Sequence, residues 1–113
     1  RDSVKYSITT KTINDKKYAR VMFLIGLENK NYEENLKVTE AINNEVEKKY
    51  PGLSRGIYKK KGKGVNGVYN QDFSSNCILI EFGGNKNTID EVYNTVIALG
   101  EIISNYIGDT FEK

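Results

Sequence analysis

The chain has 113 residues, enough for one domain around a single core, and its 38% apolar and 28% charged residues suit a globular protein. A formal net charge of +2 is too small to name a polyanionic partner, so nucleic acid is not expected to bind. One cysteine excludes an internal disulfide, and the absence of histidine excludes Ser-His-Asp and Cys-His chemistry.

Val4 to Ile13 alternates as a half-buried strand, with Tyr6, Ile8, Thr10 and Thr12 on one face. Asn14-Asp15-Lys16-Lys17 is a turn cluster, and Tyr18 to Ile25 reads as the second strand of an antiparallel hairpin. That strand ends in the continuous apolar run Val21-Met22-Phe23-Leu24-Ile25, expected where both faces are covered, so the hairpin's first strand is placed at the sheet edge. From Tyr32 to Lys49 the spacing turns helical, with Tyr32, Leu36, Thr39, Ile42 (or Asn43) and Val46 on one side, and Pro51-Gly52 stops it. Leu53 to Tyr58 supplies a short strand parallel to the previous one. Tyr58 to Asn76 is irregular and glycine-rich, a loop length that usually marks function or mobility.

The next strand, Asn76-Cys77-Ile78-Leu79-Ile80-Glu81-Phe82, is apolar except at Glu81 and runs into Gly83-Gly84. Thr88-Ile89-Asp90-Glu91 then has the form of a capping box. The helix it opens carries Val92, Val96, Leu99, Ile103 and Tyr106 along one stripe, widened by Ile89, Ile102 and Ile107, with Gly108 as its terminator. The expected fold is a single α/β domain: a mixed, mostly parallel sheet with an antiparallel edge hairpin and helices packed on it.

Glu81 is the first candidate for chemistry. A carboxylate among apolar neighbours loses hydration, and at the C-terminal end of a core strand it stands at the rim where α/β enzymes place their sites. It serves either as general acid–base or as a salt-bridge partner of Arg55 or a loop lysine. Arg55 either grips a substrate carboxylate in a two-pronged contact or is an ordinary surface arginine. Asn70 and Gln71 offer amides for peptide or sugar, or serve the loop's own hydrogen bonds. Lys59-Lys60-Lys61-Gly62-Lys63-Gly64 fails the P-loop pattern and is either a solvated loop or an attractor of an anionic polymer. Cys77 reads as a small packed hydrophobe. With one cysteine, no histidine and scattered carboxylates, no complete zinc site is expected within residues 1–113. No apolar stretch reaches the roughly 20 residues needed to span a bilayer, no signal peptide is visible, and the start at Arg1-Asp2 has the look of a cut inside a longer chain.

Five segments together resemble the stage II sporulation protein P family of peptidoglycan hydrolases. They are Arg1-Asp2, the run from Gly26 to Leu36, the run from Tyr50 to Ile57, the run from Asn66 to Asp72, and Ile78-Leu79-Ile80-Glu81-Phe82-Gly83-Gly84. The pairing of Arg55-Gly56-Ile57 with the Glu81 strand is also similar to the broader zinc-dependent N-acetylmuramoyl-L-alanine amidases. The resemblance implies the C-terminal part of a zinc-amidase fold, whose parent cleaves the amide between N-acetylmuramic acid and L-alanine and also, in the sporulation branch, peptide cross-links. Glu81 matches the family glutamate that polarises the zinc-bound water or stabilises the tetrahedral intermediate. A zinc-ligating histidine directly precedes the Arg-Asp pair in the family, so this segment is expected to carry no zinc and to be inactive alone. The resemblance further implies peptidoglycan as substrate, a stage II sporulation protein D partner, and a membrane-anchored parent facing the space around the engulfed forespore. An exposed sheet edge in the segment is expected to favour self-association. The competing reading is a non-catalytic module that holds an anionic glycan or a protein partner through its lysine loop.

Overall fold

The computed structural model describes residues 4–62, 67 and 77–111, the last two by their backbone alone. Elements run α1 (Tyr6–Thr9), β1 (Thr10–Ile13), β2 (Lys16–Ala19), β3 (Val21–Gly26), α2 (Tyr32–Lys49), β4 (Ser54–Lys60), β5 (Leu79–Phe82) and α3 (Ile89–Phe111).

β1 and β2 pair antiparallel, with Ile13 opposite Lys16. Asn14 and Asp15 both take positive φ, 51° and 63°, as the favoured tight hairpin turn requires, and their short polar side chains tolerate it. This hairpin forms its own two-stranded sheet, while β4-β3-β5 forms a second. The expected edge hairpin is therefore separate from the main sheet, because the chain breaks at Arg20 between Ala19 and Val21. The expected first strand also begins later, at Thr10. Residues 6–9 coil into one helical turn closed on the Lys5 carbonyl, which accepts from the Ile8 and Thr9 amides at 2.9 and 3.3 Å, while Arg20 binds the carbonyls of Ile8 and Thr9.

β3 pairs parallel with β4 and antiparallel with β5. The sheet is mixed but not mostly parallel, since one of its two pairings runs each way. A bulge interrupts β3–β4: Val21 faces Ser54 and Phe23 faces Ile57, so β4 uses one extra residue at Arg55-Gly56. Gly56 accommodates it at φ 104°.

Both long helices pack on one face of this sheet. Val21 and Phe23 of β3 meet Ile42 and Val46 of α2 and Leu99 and Ile102 of α3, with Ile57, Ile80 and Phe82 completing that side. α2 buries Asn35, Thr39, Ile42 and Val46 as its spacing indicates, and its Glu33–Glu34 start and Lys48–Lys49 end complement the helix dipole. Tyr32 stays at the surface and Asn35 takes the inward place, its amide donating to the Cys77 carbonyl at 3.1 Å. Cys77 itself is half-buried.

The capping box of α3 forms reciprocally: the Glu91 amide donates to Thr88 Oγ1 at 3.1 Å and the Thr88 amide to Glu91 Oε1 at 3.0 Å. Gly108 does not end this helix, which continues to Phe111. Its buried side is Glu91, Thr95, Ala98, Leu99 and Ile102, whereas Ile89, Tyr93, Val96, Ile97 and Ile107 are exposed. The expected stripe is rotated because small Thr95 and Ala98 let the helix approach the hairpin, where Thr95 Oγ1 donates to the Ala19 carbonyl at 2.6 Å. No helix among the described residues is long and apolar enough to cross a membrane.

Candidate functional site

Strand alternation decides which way Glu81 faces. Met22 pairs with Glu81 and Leu24 with Leu79, and all four alternate with the helix-packed Val21, Phe23, Ile80 and Phe82. Glu81 therefore belongs to the sheet face opposite both long helices. It is half-buried there, one residue from the exit of β5. Arg55 follows helix-facing Ser54 and lies in the β4 bulge, across β3 from Glu81 at the level of Met22. Two inter-strand spacings put the backbones of Glu81 and Arg55 about 10 Å apart.

The rim they share is not the one expected. β5 runs against β3, so its C-terminal end lies beside the N-terminal ends of β3 and β4. The rule that α/β chemistry sits at the carboxyl ends of parallel strands does not describe this site. The segment Gly26-Leu27-Glu28-Asn29 leaves the other end of β3, where Gly26 is four residues and roughly 13 Å from Met22. There Glu28 Oε1 accepts from the Gly62 amide at 3.2 Å, and Asn29 Nδ2 donates to the Gly26 carbonyl at 2.6 Å. Asn70 and Gln71 lie outside the described residues, as do Lys63 and Gly64 of the lysine cluster. Lys59 and Lys60 are part of β4 rather than of a loop, with the Lys60 ammonium 5.7 Å from the Tyr58 ring centre.

Two side-chain assemblies at the Glu81 rim escaped the sequence reading. Arg20 is the first. Its Nε donates to the Gly52 carbonyl at 2.8 Å, Nη1 to Ile8 at 3.0 Å and Nη2 to Ser54 at 3.2 Å. Its main chain donates to the Thr9 carbonyl and accepts from the Gly83 amide, both at 2.7 Å. One residue thus ties α1, the entry of β4 and the exit of β5 together. The signal was a lone charge inside Tyr18-Ala19-Arg20-Val21-Met22, the same signal that singled out Glu81.

Glu91 is the centre of the second. It is buried, and Tyr6 donates its hydroxyl to Oε2 at 2.6 Å while Asn87 Nδ2 donates to Oε1 at 3.0 Å. Burial alone pushes the Glu91 carboxyl up, but the Tyr6, Asn87 and Thr88 hydrogen bonds and the Lys17 charge outweigh it and hold the carboxyl below its ordinary range. The same bond to Glu91, with burial, raises the Tyr6 phenol above its ordinary value.

The described residues contain no group of three His, Cys, Asp or Glu side chains arranged to hold a metal, and the chain has no histidine. The donor set for a zinc ion is not present among them. A cleft of about 450 Å³ opens between the C-terminal turns of α2 and α3, lined by Glu45, Lys49, Ile102 and Tyr106 among others. Neither Glu81 nor Arg55 lines it.

A family model described as Stage II sporulation protein P matches residues 1–104. Stage II sporulation protein P of Bacillus subtilis (strain 168) is 44% identical over 109 residues, covering 96% of this chain and 27% of that protein. The chain thus spans little more than a quarter of the length of this relative. No solved structure matches it.

Proposed function

The chain belongs to the stage II sporulation protein P family, and from that premise we propose that it supplies the acid–base carboxylate, Glu81, to a peptidoglycan hydrolase. The reaction is hydrolysis of the amide between N-acetylmuramic acid and L-alanine. Glu81 takes a proton from the attacking water as the new C–O bond forms and delivers it to the amide nitrogen as the C–N bond breaks. The products are a carboxylic acid on the sugar and a free amine on the alanine. Arg55 grips a carboxylate of the substrate peptide, and Asn70 and Gln71 line the groove. Zinc belongs, in this proposal, to the part of the longer protein beyond this chain, and the 113 residues alone are inactive. The family reading also extends to cross-link cleavage, a membrane-anchored parent around the engulfed forespore, and a stage II sporulation protein D partner.

One observation carries this reading. Glu81 is a half-buried carboxylate at a strand exit, on the face that neither long helix covers, with Arg55 two strands away at the same end of the sheet. A core position would not leave a carboxylate half in water, and a purely decorative surface position would not sit inside an apolar strand.

The experiment is a muropeptide digestion with the longer protein carrying Glu81→Gln. Loss of an acid–base group costs about 10²–10⁴-fold in rate, so release of L-alanine-linked peptides is expected to fall by that factor with circular dichroism unchanged. Full activity in the variant removes Glu81 from the mechanism. Wall binding that depends on the lysines from Lys59 to Lys63 and collapses with salt, with Glu81 irrelevant, selects the binding-module reading instead.

A further inference from the structure

The two glycines after Glu81 do not simply turn the chain. Gly83 sits at φ 61°, where a side chain would run into Asn87 Oδ1 and lie 2.9 Å from the Ala19 methyl. Its amide is taken by the Arg20 carbonyl at 2.7 Å. Gly84 donates its amide to Asn87 Oδ1 at 2.8 Å and accepts from the Asn87 amide at 3.1 Å. Asn87, only 4% exposed, spends its two amide protons on Thr10 Oγ1 at 2.7 Å and Glu91 Oε1 at 3.0 Å. Glu91 in turn holds the Tyr6 hydroxyl on its other oxygen.

A capping box needs only the two backbone contacts between Thr88 and Glu91, and exposed boxes work well. Here the box glutamate is 7% exposed and serves two further donors, one of them a phenol 85 residues away in sequence. A buried polar network of this kind holds one geometry when every member is satisfied. It runs without a break from Tyr6 in α1, through Glu91 and Asn87, to Gly84, three residues past Glu81. Thr10, the first residue of β1, is tied into it at Asn87.

We propose that Tyr6, Asn87 and Glu91 are positioning residues for Glu81, locking the turn at its strand exit to the first helical turn of the chain. This inference rests on Glu81 being the acid–base carboxylate. Its physical content is that the Glu81 carboxylate is aimed by a network it does not itself join. Positioning errors of about 1 Å from changes remote from the chemistry cost up to about 10²-fold in rate.

Tyr6→Phe deletes one hydroxyl and preserves the ring. In the longer protein, muropeptide kinetics are expected to show kcat reduced about tenfold with KM within about twofold. Ile42→Val, a core change on the helix side of the sheet with a similar modest stability cost, is expected to leave both unchanged. In the 113-residue chain, amide hydrogen exchange is expected to quicken about tenfold at Gly84 in Tyr6→Phe and not in Ile42→Val. Unchanged Gly84 exchange overturns the coupling. Quickened exchange with kcat preserved, while Glu81→Gln is inactive, overturns the positioning role. If Glu81→Gln is fully active, the assignment of Glu81 itself is what has failed, and the kinetic part of the proposal falls with it while the exchange result still reports the network.

Discussion

Replacing Arg20 by methionine removes a fork that reaches three carbonyls on two different segments while leaving an apolar stem of similar length. The bonds from Nε to Gly52 and from Nη2 to Ser54 are partly buried, and the bond from Nη1 to Ile8 is exposed. Hydrogen bonds from a charged donor contribute about 1.5–3 kcal/mol each when shielded. Taking the low end for the two shielded contacts and about 0.5 kcal/mol for the exposed one gives a loss of about 3.5 kcal/mol. The retained stem packing offsets a little of this, leaving about 3 kcal/mol. That is a large fraction of the 5–15 kcal/mol typical of a domain. In urea denaturation, with a slope of about 1.5 kcal/mol per molar, the midpoint is expected to fall by about 2 M. Arg20→Lys separates charge from geometry, because an ammonium keeps the charge but reaches at most one of the three carbonyls. Its expected loss is about 2 kcal/mol. A methionine variant losing under about 1 kcal/mol refutes the account of Arg20 as the joint of the rim. A lysine variant as stable as the parent shows that the charge, not the fork, is what counts.

Glu91→Gln tests the second assembly through pH. The folded carboxyl lies below its unfolded value, so its contribution is complete above about pH 4.5 and is lost as pH falls through the depressed folded value. The groups facing it are Tyr6 and Lys17, and the parent is expected to lose melting temperature across that acid window more steeply than the glutamine variant; parallel curves refute the assignment. Gly83→Ala is expected to cost about 2 kcal/mol from the left-handed φ together with the Ala19 contact, whereas Gly100→Ala, exposed and with nothing within 4 Å, is expected to gain up to about 1 kcal/mol. Calorimetric melting of the two variants opposes them directly, and equal shifts refute the reasoning. β4 and β5 are the outer strands of the described sheet, and α3 exposes Ile89, Tyr93, Val96 and Ile97, so light scattering is expected to give more than one chain's mass at high concentration. A mass of one chain throughout removes that expectation.

What could be read from the chain follows the range of the interactions involved. The capping box at Thr88–Glu91 is closed by residues three apart, and the α2 face recurs every three or four residues, so both are written locally. The hairpin turn is equally local, because Asn14 and Asp15 are residue types that accept positive φ. The turn at α1 is not legible as such, because residues 6–9 alternate like the strand that follows while their amides close on the Lys5 carbonyl. Which side of α3 is buried is not legible in the chain, because apolar residues line most of its circumference and periodicity alone cannot choose among them. Thr95 and Ala98 chose, by fitting the hairpin.

The amino-acid order alone marked Glu81 as an anomaly and Arg55 as its company, since a charge inside an apolar run is visible without coordinates. It did not determine which end of the sheet they occupy. An apolar run carries no direction, so only pairing with β3 made β5 antiparallel and brought the Glu81 exit to the entries of β3 and β4. Only the packed chain joined Tyr6 to Glu91 across 85 residues, because a hydrogen bond between distant segments exists only once the loops between them have closed.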